Sequence, residues 1–500
     1  MVSTAPPRDR ASRSARSPIL AVREQRAEAT RFRRSLTLVG LTVVAPGSAQ
    51  LMTGNRRIGK IAVLVWASVV VTGALVLWLV PVDQLVRLAV RPWILNGFTL
   101  LVVGLALAWT ALLFDAWRLG GPPRLNRRHR LIMVFTTLFL IATVSTPLIV
   151  MARYAVAARD AVVTLFPTGE AAATSNGRLN ILLLGADAAE GRDGVRPDSI
   201  NVVSVDVGSG NPVLISLPRN LEKARFAEGS PAAAEFPAGF AGTGDRTAWM
   251  LNATWTYGEG HPDMFPGAAG PGLTAVKHAV EGTLGLPIHY YVVIDLAGFR
   301  NLVDALGGVT IRITEPLPIG QDGRILEPGL RRLDGYETLW YARSRSDSSD
   351  YGRMSRQRCV LGALLHEADP ATVLRHFTDI ANASTSVVRT DIPQGQLPEL
   401  IELALQAKDR PVASLQLVPP LIVPADPDFA AIRENVDRAV AASADGGKQQ
   451  NEATPAGTVP SATTEVGDDG GPTATADSEQ GVEESAGQPT VDLSSVCAYE

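Results

Sequence analysis

Cysteine, histidine and aromatic residues are scarce in this chain, and each shortage removes a class of function. Two cysteines in 500 residues, Cys359 and Cys497, exclude a disulfide-dense scaffold and any Cys-rich zinc or iron–sulfur site. The six histidines (129, 261, 278, 289, 366 and 376) show no metal-ligand spacing. Neither H-E-x-x-H nor G-x-S-x-G occurs, so zincin and serine-hydrolase chemistry have no footing. His289 falls in an apolar run and reads as a packed ring rather than a ligand. The modest net charge of -4 hides a split, because residues 441–500 carry eleven acids and one base, Lys448, which leaves +6 on the rest.

What the chain has in quantity is apolar residues, at 46%. A mean hydropathy of +0.12 is high for a soluble protein and points to segments in lipid. Residues 61–80, 93–113 and 131–151 have the length and purity of membrane helices. A fourth run, 36–45, is shorter and is broken at once by Pro46, Gly47 and Ser48. Charge bias decides the count. If that run crossed, the loop with Arg118, Arg124, Arg127, Arg128 and Arg130 would lie outside, against the positive-inside rule. Three crossings keep those five bases and the twelve in residues 1–60 inside, with the sparsely charged loop 81–92 outside. The sequence therefore predicts a basic cytoplasmic arm with a short re-entrant or interfacial segment (1–60), three spans within 61–152, and a cytoplasmic-membrane protein whose remaining chain is extracytoplasmic.

Nine arginines in residues 1–34 read as a disordered arm, and no nucleic-acid-reading module follows them, so nucleic acid is not an expected partner. The segment Gly54-Asn55-Arg56-Arg57-Ile58-Gly59-Lys60 fits the first seven positions of a phosphate-binding loop, but Ile61 stands where Ser or Thr belongs and a membrane helix follows. It reads as a juxtamembrane turn.

After a linker (153–177), short apolar runs alternate with helical stretches, the pattern of a layered α-β-α domain with a central mixed sheet. Strands are expected at 181–184, 200–207, 212–217, 288–294 and 309–313, and helices at 274–284 and 296–306, the latter stopped by Gly307-Gly308. Asp334 with Glu337 marks a helix start, and a last helix is expected at 353–367. Its inward stripe of Val360, Leu361, Leu364 and Leu365 extends back to Gln357 and Arg353, which are either buried with partners or part of a solvated first turn. Residues 441–500 are poor in large apolar residues and read as a disordered acidic tail. Cys359 and Cys497 are either bonded, which an oxidising exterior permits, or two separate thiols.

Chemistry-bearing residues cluster at element ends: Asp187 after the first strand, Arg196 and Asp198 before the second, Arg219 after the third, then Arg343, Arg345, Arg353 and Gln357. Two carboxylates among several arginines suit a magnesium-bridged diphosphate, since Mg²⁺ takes oxygen ligands from one or two acids plus phosphate while arginine forks hold the other oxygens.

In order along the chain, 180–187 (NILLLGAD), 196–199 (RPDS), 215–219 (ISLPR), 291–309 (YVVIDLAGFRNLVDALGGV), 333–345 (LDGYETLWYARSR) and 352–357 (GRMSRQ) resemble the motifs of the LytR-CpsA-Psr family. The likeness spans residues 178–370, weakening to 440. It implies a catalytic domain over 178–440 that joins a glycopolymer from a polyprenyl diphosphate carrier to peptidoglycan through a phosphodiester, working at the lipid bilayer. By motif position Asp187 and Asp198 would hold Mg²⁺, while Arg196, Arg219, Arg343, Arg345, Arg353 and Gln357 would bind the diphosphate. The catalytic set is Arg219, Asp187 and Asp198. The chain departs from the family at Pro197, where Ser is common, at Ser199 for Thr, and at Met250 for a Lys two before Asn252. Asn220 replaces a usual Asp, and an amide cannot accept a proton, so a base used there by relatives must be another group here. Diphosphate hydrolysis and a non-catalytic regulatory role are the competing readings.

Overall fold

Local punctuation sets where the N-terminal helices start and stop. In the computed structural model the described residues are 18–121, 125–187, 196–267, 270–320, 323–345, 350–367, 388–408, 410–449, 490–493 and 497. They fall into two compact units, one of residues up to Pro81 with Trp93–Val156, the other of Val82–Pro92 with the chain from Ala157 on.

In the first unit α1 (Pro18–Val44) is one continuous 27-residue helix. The expectation of a disordered arm followed by a short apolar segment fails from Pro18 on, because the Ala-, Arg- and Glu-rich stretch favours helix and no proline lies between Pro18 and Pro46. Residues 1–17 lie outside the described residues. After α2 (Ser48–Thr53), α3 (Arg56–Leu79) opens on Asn55, whose side chain accepts from the Arg57 N–H. The phosphate-loop lookalike is thus a helix cap. Gly47, at φ 94°, and Gly59 meet backbone to backbone: a Cβ on Gly59 would come within 2.8 Å of the Gly47 carbonyl oxygen. Next come α4 (Val82–Ala89), α5 (Pro92–Leu119) and α6 (Arg127–Leu165). Among the described residues three helices, α3, α5 and α6, are long and apolar enough to cross a membrane. The linker expected from residue 153 starts as helix, since α6 continues past its internal Pro147 through an Ala-rich stretch that meets no further proline before Pro167.

In the second unit β1 (Arg178–Asp187) pairs antiparallel with β2 (Arg196–Asp206), which pairs antiparallel with β3 (Pro212–Leu217). The short helices α7 (Pro231–Glu235) and α8 (Thr254–Gly260) lead to α9 (Pro271–Leu284) and then β4 (Tyr290–Asp295), which lies parallel to β1. Then follow α10 (Leu296–Ala305), β5 (Val309–Ile313), β6 (Leu317–Ile319), β7 (Arg324–Leu326), β8 (Gly329–Leu333), α11 (Gly335–Arg343) and α12 (Asp350–Glu367). Gly307 and Gly308, at φ 81° and 94°, end the α10 segment as the sequence predicts. Asp334 and Glu337 form a full capping box at α11. The chain closes with β9 (Val388–Thr390), α13 (Leu397–Lys408), β10 (Ala413–Gln416), α14 (Phe429–Gln449) and β11 (Val491–Asp492).

Seven strands make one mixed sheet in the order β11-β10-β3-β2-β1-β4-β9. Period-two alternation sorts its side chains. Leu182, Leu184, Ile200, Val202, Val213 and Ile215 join a core that includes Val276 and Val280 of α9 and Ile432 and Val436 of α14. Their neighbours Leu179 and Val205 join another, with Val162, Leu397 and Leu403. A third cluster packs Val303, Val309, Ile311, Tyr341, Val360 and Ala363.

The tail departs from the expectation of disorder at both ends. The helix α14 runs on to Gln449, and Val491–Asp492 returns as an edge strand on β10. There Leu493 is buried and a Cys359–Cys497 disulfide closes the contact, deciding between the two cysteine readings. A Val-x-Leu alternation is enough to extend an edge strand, although the composition around it is polar. Residues 450–489 lie outside the described residues.

Candidate active site

The site is built where β1 and β3 end and β2 and α12 begin. A bulge between Gly185 and Ala186 shifts the β1–β2 register, so Gly185 faces Ser199 while Asp187 pairs with Arg196. A Cβ on Gly185 would stand 3.0 Å from the Ser199 Cβ, so glycine lets the strands approach here. This brings Asp198 two residues into β2, beside the residues leaving β3.

Arg219, next after Pro218, donates from Nη1 to Asp198 Oδ1 at 2.5 Å, and its Nε lies 3.6 Å from Asp350 Oδ2. Arg353 is 2% exposed and donates from Nη1 to the Asp198 carbonyl at 3.0 Å and from Nη2 to Asp350 Oδ2 at 3.1 Å. Burial pulls its guanidinium below the ordinary value, Asp350 pushes it back up, and the like charges of Arg219 and Arg345 pull it down. Arg345 Nη2 is 3.4 Å from Asp350 Oδ1. Gln357 Nε2 donates to the Ala342 carbonyl at 3.3 Å, and Arg343 lies over the Trp340 ring at 6.0 Å. Arg353 and Gln357 are therefore a continuation of the inward stripe of α12, with partners, rather than a solvated first turn.

Asp198, Arg219, Arg343, Arg345, Arg353 and Gln357 line one cavity of about 720 Å³. The rest of its wall is largely apolar, with Leu183, Val292, Ile294, Phe299, Trp340, Leu361 and Leu364 among the lining. Along α12 the lining passes from Arg353 and Gln357 to Val360, Leu361 and Leu364. The span from Arg353 to Leu364 is about 16 Å at the helical rise. One cavity thus offers a cationic region for an anionic head and an oily one for a chain.

Arg196, a site residue expected from sequence, is not among the residues that line that wall. Arg196 is exposed. Its charge helps hold the Asp245 carboxyl below its usual range, after the hydrogen bonds Asp245 takes from Thr247. Asp187 ends β1 opposite Arg196, and its side chain lies outside the described residues. Among the described residues no three His, Cys, Asp or Glu side chains gather as a metal cage. The donor chemistry at Asp198 nevertheless fits Mg²⁺, which binds through one or two carboxylates plus phosphate oxygens and needs no such cage.

Asp350 and Trp340 were not singled out by sequence reasoning. Asp350 carried a signal: an acid in the first turn of a helix, three residues before an arginine.

A mixed α/β domain with a cavity of cationic and apolar lining, following in sequence helices long and apolar enough to cross a membrane, defines a class of domain suited to amphiphilic anions. The LytR_cpsA_psr family model matches residues 152–420, and the chain belongs to that family. It is 28% identical over 225 residues to a polyisoprenyl-teichoic acid–peptidoglycan teichoic acid transferase, TagU, of Oceanobacillus iheyensis, a match covering 45% of this chain and 62% of the relative. A Bacillus anthracis protein of the same name is 27% identical over 221 residues, covering 44% of this chain and, again, 62% of the relative. The chain thus spans somewhat under two thirds of these relatives' length. Among solved structures, Bacillus subtilis TagV aligns with a TM-score of 0.40 and 23% identity, over 54% of this chain and 99% of that one. A structure of TagT bound to LIIa-WTA aligns at 0.39 and 20%, over 54% of this chain and 95% of that one.

Proposed function

We propose that the chain is a phosphotransferase that moves a glycopolymer from a polyprenyl diphosphate carrier to peptidoglycan, leaving a phosphodiester link. The observation that carries this reading is the single cavity whose lining changes along α12 from guanidinium groups to aliphatic side chains. A polyprenyl diphosphate has the same order of chemistry, and the two relatives are named for transfer from a polyisoprenyl carrier to peptidoglycan.

In this reading Arg219, Arg343, Arg345 and Arg353 hold diphosphate oxygens, Gln357 supplies an amide contact, and the apolar wall takes the first isoprene units. Arg196 meets the glycan-side phosphate from the rim. Asp198, with Asp187, would hold Mg²⁺. Bound there, the ion adds positive charge to the diphosphate oxygens. A peptidoglycan sugar hydroxyl attacks the phosphorus next to the glycan, the bond from that phosphorus to the bridging oxygen breaks, and polyprenyl phosphate leaves with the electron pair. The arginines stabilise the charge that grows on the bridging oxygen. The hydroxyl proton passes to a group other than Asn220, whose amide has no basic site. The domain stands outside the membrane as α-β-α layers on three spans, with the N-terminus in the cytoplasm.

The full chain in lipid nanodiscs, given Mg²⁺, a short-chain polyprenyl-diphosphate oligosaccharide and soluble peptidoglycan fragments, tests this by mass spectrometry. The expected product is a phosphodiester-linked conjugate, with Arg219→Ala slower by about 100-fold or more, as for loss of an oxyanion-stabilising donor. Polyprenyl phosphate and free phosphosugar without conjugate would make the protein a hydrolase instead. Carrier binding without turnover would make it a binding or regulatory protein.

A further inference from the structure

Guanidinium groups gathered on one cavity wall repel each other, and partial burial strengthens the repulsion. Arg219, Arg345 and Arg353 are in that position, all lining the cavity. Asp350 is the anion they share. Its carboxylate lies 3.6 Å from Arg219 Nε, 3.4 Å from Arg345 Nη2 and 3.1 Å from Arg353 Nη2. The three arginines contribute to the cavity wall, while Asp350 stands outside that wall with its side chain 24% exposed. It sits in the first turn of α12, where the helix N-terminus favours a carboxylate. The arginines come from three places: Arg219 from the end of β3, Arg345 from beyond α11, Arg353 from α12 itself. One carboxylate fixed to α12 therefore ties three separate chain segments to one point.

We propose that Asp350 is a positioning residue that aims Arg219, Arg345 and Arg353 so that their remaining N–H groups match two linked phosphates rather than one. A single phosphate is satisfied by any one arginine fork, whereas a diphosphate needs forks held at a fixed spacing. The proposal deepens, and rests on, the reading of the cavity as a diphosphate site.

The test uses the full chain in nanodiscs with Mg²⁺ and two probes, geranylgeranyl diphosphate and geranylgeranyl monophosphate, titrated calorimetrically into wild type, Asp350→Asn and Asp350→Glu. Asn keeps the shape and removes the charge. Asp350→Asn is expected to lose about tenfold in diphosphate affinity while monophosphate affinity stays within about threefold. Asp350→Glu is expected to regain part of the preference. Tighter binding of both probes by Asp350→Asn would make Asp350 a competing anion, and equal losses on both with a lowered melting temperature would make it a fold-supporting residue. Either result overturns the proposal. A wild type that does not prefer diphosphate overturns the diphosphate reading itself, an outcome visible before any variant is measured.

Discussion

At the scale of single residues, the second unit disfavours the charged form of two imidazoles, and this bears on its response to acid. The Asn180 N–H donates to His289 Nδ1 at 2.9 Å, so that nitrogen must be the unprotonated acceptor, and Nε2, 3.1 Å from Ser175 Oγ, carries the hydrogen. Burial pulls His289 below its ordinary value of 6.5, and burial does the same to His278. The sign follows from linkage. A base whose folded value is depressed leaves the unfolded chain binding more protons as pH falls below the ordinary value, so stability present above it is lost on the way down through the folded value. The melting temperature is therefore expected to fall between about pH 7 and 5. His289→Gln, whose amide oxygen can accept from Asn180 without titrating, should flatten part of that slope and leave the part due to His278. Thermal melts of both proteins across that range check it, and parallel slopes would remove His289 as a cause. The sequence had already marked His289 as a packed ring, because a lone histidine in an apolar run has no ligand partners at metal spacing. The acid three residues before Arg353 was a local signal at Asp350, but its contact with Arg219, 131 residues away, is one that no local pattern records.

At the scale of elements, what was legible is what is specified locally. The hairpin of β2 and β3, the α10 segment ended by two glycines and the capping box of α11 all follow from alternation, stop signals and caps within a few residues. The cavity lining was legible only in part: the stripe on α12 pointed inward, but Phe299 and Trp340 join it through packing of α10 and α11, which spacing does not reveal. Least legible was the C-terminal return, where Val491–Asp492 pairs with β10 and Cys497 bonds Cys359 across a sequence separation of 138. The Leu493 N–H donates to the Val412 carbonyl at 3.0 Å and its side chain is buried with Leu214. A covalent tie across so long a loop removes much freedom from the unfolded chain. Replacing both cysteines by serine is expected to cost about 2–4 kcal/mol in denaturant unfolding, by the usual range for native disulfides. Hydrogen exchange should show the Leu493 amide losing protection first, because a two-residue edge strand holds few bonds of its own. Unchanged unfolding together with an unchanged Leu493 amide would mean that β11 is held by packing alone.

At the scale of the whole chain, the question is which side of the membrane each loop occupies, and one short helix bears on it. The helix α4 connects α3 to α5, yet it belongs to the second unit: Arg87 pairs with Glu402 of α13 and with Asp83, and Val90 lies in the same core as Val162 and Leu403. A loop after the first long apolar helix and a domain after the third share a side only if the two intervening helices, α5 and α6, each cross once, or neither does. Their length and apolar composition favour crossing. The proposed topology takes its direction from the bases: Arg127, Arg128 and Arg130 open α6 and Arg56, Arg57 and Lys60 open α3, and the positive-inside rule favours the cytoplasmic side for both helix starts. The two native cysteines are bonded to each other and give no thiol background. Single cysteines at Gln84 in α4, Arg128 at the start of α6 and Thr168 beyond it, all exposed positions, therefore report the topology by labelling with a membrane-impermeant maleimide. In intact cells stripped of outer barriers, Gln84→Cys and Thr168→Cys are expected to label, and Arg128→Cys only after permeabilisation. Labelling of Arg128→Cys in intact cells with protection of the other two would invert the protein and put the cavity in the cytoplasm, away from peptidoglycan. That result would end the ligase reading whatever the cavity binds, because the acceptor sugar would be on the wrong side of the bilayer.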